Sequence, residues 1–254
     1  MNYLRVFFIS CFFIGYLNAI EIKSLSQAVD IAGKQRMYTQ RMLKNYAMIG
    51  MNNSYGNPKK DLKKIIREFE DHLNSLDKFT KDKAVKLSIK EVRALWKPIK
   101  KTLLKKPDKN SVIKLQNDLE KLLKASDKTT KLFANLTGKK SGEIINISGR
   151  QRMLSQRMAS LYMLKVWGVN DKEFQKKMDD SMKLFSSSLE KLLKYEKNTK
   201  QISQLLKNVQ NSYMFFEFMN RSNTRFIPSL ICKKADDILK NMNSVTNLYT
   251  KMEK

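Results

Sequence analysis

The feature that most constrains this chain is that it repeats itself once. Residues 31–46 read IAGKQRMYTQRMLKNY and residues 147–162 read ISGRQRMLSQRMASLY, with nine of sixteen positions identical at an offset of 116. The same offset pairs Phe69, Leu73 and Leu76 with Phe185, Leu189 and Leu192, and Leu122, Leu123, Lys124 and Leu132 with Ile238, Leu239, Lys240 and Leu248. Between Trp96 and Tyr213 the register slips by one. Whatever fold the first half adopts, the second must adopt it again.

Each half reads as four helices. Ile22, Leu25, Val29 and Ala32 recur by three and four, an amphipathic helical pattern. The expected helices are 22–51, 59–79, 83–105 and 111–136, then 140–168, 171–196, 199–226 and 228–252, with Pro98 an expected kink. Turn signals separate them: Asn52 to Pro58, Pro107 to Ser111, Gly138, Gly142, Asn170 and Pro228. Nothing alternates with period two. The expected fold is all-α, two tandem four-helix bundles related by internal duplication, over 20–137 and 138–254.

Residues 1–19 read as a secretory signal peptide: a basic start to Arg5, an apolar run VFFISCFFIGYL, and a small residue at Ala19. An uncleaved N-terminal anchor is the alternative. Either way the expected location is periplasmic. Cleavage would leave Cys232 as the one cysteine, so no intramolecular disulfide is expected. With one His and two Cys, no metal site and no cofactor is expected, and no nucleophile–base pair or phosphate loop suggests an enzyme.

Lys and Arg number 50 against 24 Asp and Glu, a net charge of +26. In a cytoplasmic chain that would suggest nucleic acid. Here the lysines are spread between apolar positions, as on solvated helix faces, so no nucleic acid partner is expected. A weak contact with an anionic membrane surface is. His72 reads as solvated, Cys232 as a small core residue, and Trp167 as an aromatic at the end of the second motif helix that could line a pocket.

The motif holds the unusual chemistry. Gly33 and Gly149 sit mid-helix, where Gly is less favourable than Ala by about 1 kcal/mol, and suggest close approach of a backbone or ligand. At 100° per residue, Arg36 lies about 60° to one side of Gly33 and Arg41 about 80° to the other, with Met37 and Gln40 between. Gly149, Arg152, Met153, Gln156 and Arg157 repeat the layout. Arg36 continues an apolar stripe, so it needs a partner: an oxyanion matched to its planar fork, or a carboxylate from another helix. No Asp or Glu recurs at matching positions in both motifs, since Asp30 corresponds to Asn146.

DIAGKQRMYTQRM at 30–42 and NISGRQRMLSQRM at 146–158 resemble the signature of the PilJ-type N-terminal domain of type IV pilus methyl-accepting chemotaxis transducers, a domain also found in Nar-type nitrate/nitrite sensor kinases. The resemblance implies an extracytoplasmic helical bundle that senses a small oxyanion such as nitrate or nitrite. In such sensors two subunits pack their first helices together, with the anion at the interface. Carried over, Gly33 and Arg41, with Gly149 and Arg157, contact the anion, and Arg36 and Arg152 belong to the same signature; these six are the expected ligand-binding residues. Asp30, Met37, Gln40, Asn146, Met153 and Gln156 lie behind them.

Two departures stand out. The family continues into a transmembrane helix and signalling module, and no such segment precedes Lys254, so a membrane receptor or reductase system is the expected partner. Asp30 replaces the usual Asn and is expected to repel the anion unless it holds an arginine in place. Because one chain carries both motifs, the helix at 22–51 is expected beside the helix at 140–168, in a monomer with pseudo-two-fold symmetry. The rival geometry stacks the bundles end to end. The rival function is an envelope or pilus-associated interaction module in which the motif only packs helices.

Overall fold

The computed structural model describes residues 20–138, 140–221 and 227–252. The expected signal peptide at 1–19 lies outside them. The described residues form eight helices and no strand: α1 Leu25–Gly50, α2 Pro58–Phe79, α3 Lys83–Leu103, α4 Val112–Leu136, α5 Lys140–Val166, α6 Phe174–Leu193, α7 Lys200–Arg221 and α8 Pro228–Lys251. None is long and apolar enough to cross a membrane.

The helix ends follow local chemistry. Ser24 Oγ accepts from the Gln27 amide at 3.1 Å and starts α1, and Asp82 does the same for Val85 at 2.8 Å in α3. Asn57, at φ 53°, caps α2 while Pro58 supplies a first-turn residue that needs no amide partner. Pro98 lies inside α3 at an exposed position.

In the first half α1 packs between α2 and α4, and α3 closes the bundle against α4; α5 to α8 repeat this order. The register slip is visible in the packing: Phe69 lies against Trp96 and Phe185 against Tyr213, both with ring centroids 4.4 Å apart. The bundles are fused side by side along α1 and α5, the most extensive helix contact in the molecule, with α4 touching α5 and α8 touching α1 at the flanks. The end-to-end alternative is therefore not what the chain builds. Gly33 lies by Gly149, and Tyr46 near the C-terminus of α1 meets Trp167 just beyond α5, with ring centroids 6.3 Å apart. The motif helices thus run parallel, as a two-fold axis along the bundle requires.

This placement explains why α1 and α5 are not cleanly amphipathic. Each faces its own bundle on one side and the other bundle on the opposite side, so almost every residue from Ala28 to Met48 is buried. Polar residues on them must find internal partners. Gln35 and Gln151 donate to the carbonyls of Phe69 and Phe185 at 3.0 and 2.9 Å, a symmetric pair.

Candidate functional site

The side-by-side fusion brings the two mid-helix glycines to one place. A methyl group on Gly33 would lie 3.3 Å from Nη2 of Arg36 and 3.4 Å from Nη2 of Arg152. On Gly149 it would lie 3.1 Å from Nη2 of Arg152 and 3.4 Å from Nη2 of Arg36. Two guanidinium groups, one from each repeat, thus converge between two glycines, and the missing side chains leave the room they occupy. Arg36 is 0% exposed and Arg152 1%.

A buried guanidinium needs compensation, and here the two halves differ. Arg36 Nη1 donates to Asp127 Oδ1 of α4 at 2.6 Å, and its Nη2 to the Asn146 carbonyl of α5 at 3.2 Å. Arg152 Nη1 donates to Asn243 Oδ1 of α8 at 3.2 Å, and its Nη2 to the Asp30 carbonyl of α1 at 3.3 Å. Asp127 and Asn243 are separated by 116 residues, as are Asp30 and Asn146. Each arginine therefore sees one Asp and one Asn, with the positions exchanged. Asp30 Oδ1 lies 2.7 Å from Arg152 Nη1, an ion pair without a well-aligned hydrogen bond. The second function weighed for Asp30, holding an arginine in place, is the one the geometry gives it.

Electrostatics agree. Burial opposes the Asp30 charge, but Arg152 and Lys34 outweigh it and hold the carboxyl below the usual range. Burial likewise opposes the Asp127 charge, and Arg36 and Lys131 outweigh it. Arg36 is pushed down to about 10 by burial, with Asp127 opposing and Arg150 and Arg152 adding to the shift, so it stays charged at neutral pH. Each carboxylate is shared with a lysine, Lys34 at 3.1 Å from Asp30 and Lys131 at 2.7 Å from Asp127. The cluster holds four cations and two carboxylates. Nε of both arginines is buried with no hydrogen-bond partner.

Arg41 and Arg157 do not meet across the axis. Arg41 makes a two-pronged bond to Asp61 of α2, at 2.9 and 2.7 Å. Arg157 cannot copy this, because the position matching Asp61 is Lys177. It reaches instead across the fusion to Glu120 of α4, at 2.8 and 2.7 Å. The pseudo-symmetric crossing contact is Lys44 to Asp236 of α8 at 2.9 Å, with Asp236 the counterpart of Glu120. Gln40 and Gln156 donate to the same two carboxylates at 3.2 and 3.3 Å. Met37 and Met153 are buried in the surrounding core.

The sequence reading missed the partners: Asp127, Asn243, Asp61, Glu120, Asp236 and the buried Lys44. The offset of 116 carried a signal for the first two, since Asp127 and Asp30 in the first repeat both become Asn, at 243 and 146, in the second. His72 is also corrected. It is 4% exposed, packed against the Tyr38 ring with centroids 5.4 Å apart, because it falls on the inward stripe of α2 with Phe69 and Leu76. Cys232 is buried, with Sγ 3.5 Å from Met48 Sδ, and Trp167 covers Gly50.

A family model described as "Type IV pili methyl-accepting chemotaxis transducer N-term" matches residues 20–127 and again 134–214. The two segments correspond to the two repeats, and α8, which supplies Asn243 and Asp236, lies beyond the second. No curated protein and no solved structure gives a significant match. The family is one of sensory, typically periplasmic domains. With most of its length covered by two consecutive matches, the chain belongs to the PilJ family of chemotaxis transducer N-terminal domains and carries two copies of that domain.

Proposed function

We propose that this protein is an exported sensory module that binds one small oxyanion, nitrate or nitrite, between α1 and α5. The observation that carries the reading is the convergence of the Arg36 and Arg152 guanidiniums between Gly33 and Gly149. The planar forks suit a trigonal anion, and their buried Nε–H groups are donors in need of an acceptor. The surplus of two positive charges in the cluster leaves room for a monoanion without removing Asp30 or Asp127. Gly33, Arg36, Gly149 and Arg152 are the proposed contacts. Arg41 and Arg157 position the motif helices through Asp61 and Glu120 and would touch the anion only on exchanging partners. One chain, acting as a monomer, supplies what two subunits supply in the resemblance described above. Its output passes through a membrane receptor or a reductase system.

Calorimetric titration with nitrate, nitrite, sulfate, phosphate and chloride at constant ionic strength tests this. The expected result is saturation by nitrate or nitrite at one anion per chain. Absence of binding by every oxyanion overturns the reading. That each buried arginine already has a carboxylate favours a second reading, in which the motif only fastens two bundles of an envelope or pilus-associated module. That reading predicts no anion binding at all.

A further inference from the structure

At the end of the first bundle, the C-terminus of α1, the start of α2 and the end of α3 enclose a cleft of about 680 Å³. Its charged lining is Lys59, Lys63, Lys105 and Lys106, with no Asp or Glu. Among the described residues none of these four ammonium groups has a carboxylate partner. With 50 Lys and Arg against 24 Asp and Glu many cations lack a partner; these four share one cleft that holds no acidic residue. Between the lysines the surface is apolar: Leu62, Ile66 and Leu103 form the inner wall, and Leu104 stands 62% exposed at the rim.

The lysines are not a by-product of the repeated scaffold. The positions matching Lys59 and Lys63 in the second repeat are Gln175 and Asp179, which bond to each other at 3.0 Å. Among the described residues the Lys59 and Lys63 pair is not repeated in the second bundle. Its size falls in the range of small-ligand sites. Four unpaired cations call for an anion, and an exposed leucine above an apolar wall calls for hydrocarbon. A second copy of the chain is a poor occupant, since it carries the same +26 charge.

We propose that this cleft takes the phosphate headgroup and first acyl carbons of an anionic phospholipid, docking this end of the protein on an anionic membrane surface. The headgroup sits among the lysines, and Leu104 enters the interfacial layer. The proposal is independent of the oxyanion reading, since no residue is shared with the motif.

Co-sedimentation with phosphatidylglycerol/phosphatidylcholine vesicles, against phosphatidylcholine alone, tests it. The parent should bind only the anionic vesicles. Lys63→Glu/Lys106→Glu should weaken binding by roughly tenfold or more. Leu104→Asp, at an exposed position, should also weaken it clearly. Lys81→Glu/Lys197→Glu, an equal charge change at exposed sites on the opposite end, should leave it within about twofold. Soluble dihexanoylphosphatidylglycerol should compete, and inorganic phosphate at the same concentration should not. Equal losses in both double variants would show attraction by net charge alone and overturn the proposal. Retained binding in Leu104→Asp, competition by inorganic phosphate as strong as by the lipid, or binding of an acidic amphipathic peptide without vesicle binding would overturn it too.

Discussion

Replacing Asp127 by Asn removes the one carboxylate that reaches the Arg36 guanidinium among the described residues. Arg36 has no exposed surface, so it would remain charged and buried with the Asn146 carbonyl and the new amide side chain at position 127 for company. Breaking a buried pair in this way is destabilising by about 3–5 kcal/mol. Asp127 keeps 22% side-chain exposure, which places the expected loss near the lower figure, a fall in melting temperature of about 6–12 °C for a chain of this length. The surroundings of Arg152 show how to restore the balance. There Asp30 of α1 stands with Asn243 of α8 and pairs with both Arg152 and Lys34. The matching site beside Arg36 is Asn146 of α5, whose Oδ1 is buried without a partner, and the residue matching Lys34 is Arg150. Asp127→Asn/Asn146→Asp should therefore recover most of the loss, to within about 1 kcal/mol of the parent. Asn146→Asp alone should be close to neutral. Urea unfolding of the four proteins gives the coupling energy. Additive losses, with the double variant no better than Asp127→Asn, would refute the compensated exchange.

His72 is held neutral, pushed down to about 4 by burial, with Lys34 and Arg152 adding to the shift and Asp30 opposing it. Its folded value lies below the ordinary 6.5, so the unfolded chain takes up the proton first, and stability falls as pH drops from about 6.5 to about 4, by up to about 3 kcal/mol. Unfolding of His72→Gln over this window should show a flatter pH dependence; an unchanged slope would contradict the assignment. Gly50→Ala should destabilise by about 1–3 kcal/mol, because its methyl would sit 2.2 Å from the Trp167 ring, and a melting temperature at or above the parent's would count against that packing. Lys44→Met should be neutral or stabilising, since Lys44 is buried while its partner Asp236 is half exposed and can return to water; a loss above about 1 kcal/mol in denaturant unfolding would show that the pair is net favourable.

The helices were legible in the sequence because apolar spacing and turn residues act locally, and their observed ends lie within a few residues of the expected ones. The fusion along α1 and α5 was legible for a different reason: two copies of one motif in one chain must satisfy each other's exposed faces. What escaped was pairing over long separations. Arg41 and Arg157 occupy the same motif position yet bond to Asp61 and Glu120, because a residue outside the motif, Lys177, takes the local site away from Arg157. Lys44 looked like another surface lysine, but it lies four residues beyond Gln40 on the line Gly33, Arg36, Gln40 that faces the second bundle. His72 was misread from the charges around it, although its spacing from Phe69 and Leu76 placed it on the inward stripe.

The central claim is that one anion lies between the two buried arginines of a single chain. The Nε–H groups of Arg36 and Arg152 give it the most direct test, because both are buried and neither has a partner in the structure. Their nitrogen–proton resonances can be followed through a nitrate titration at constant ionic strength, with chloride as the exchanged ion. The account predicts that both resonances move along one saturating curve that ends at one nitrate per chain, while those of Arg41 and Arg157 move little. Resonances of Arg36 and Arg152 that stay in place, with nitrate and nitrite both in large excess, would contradict it.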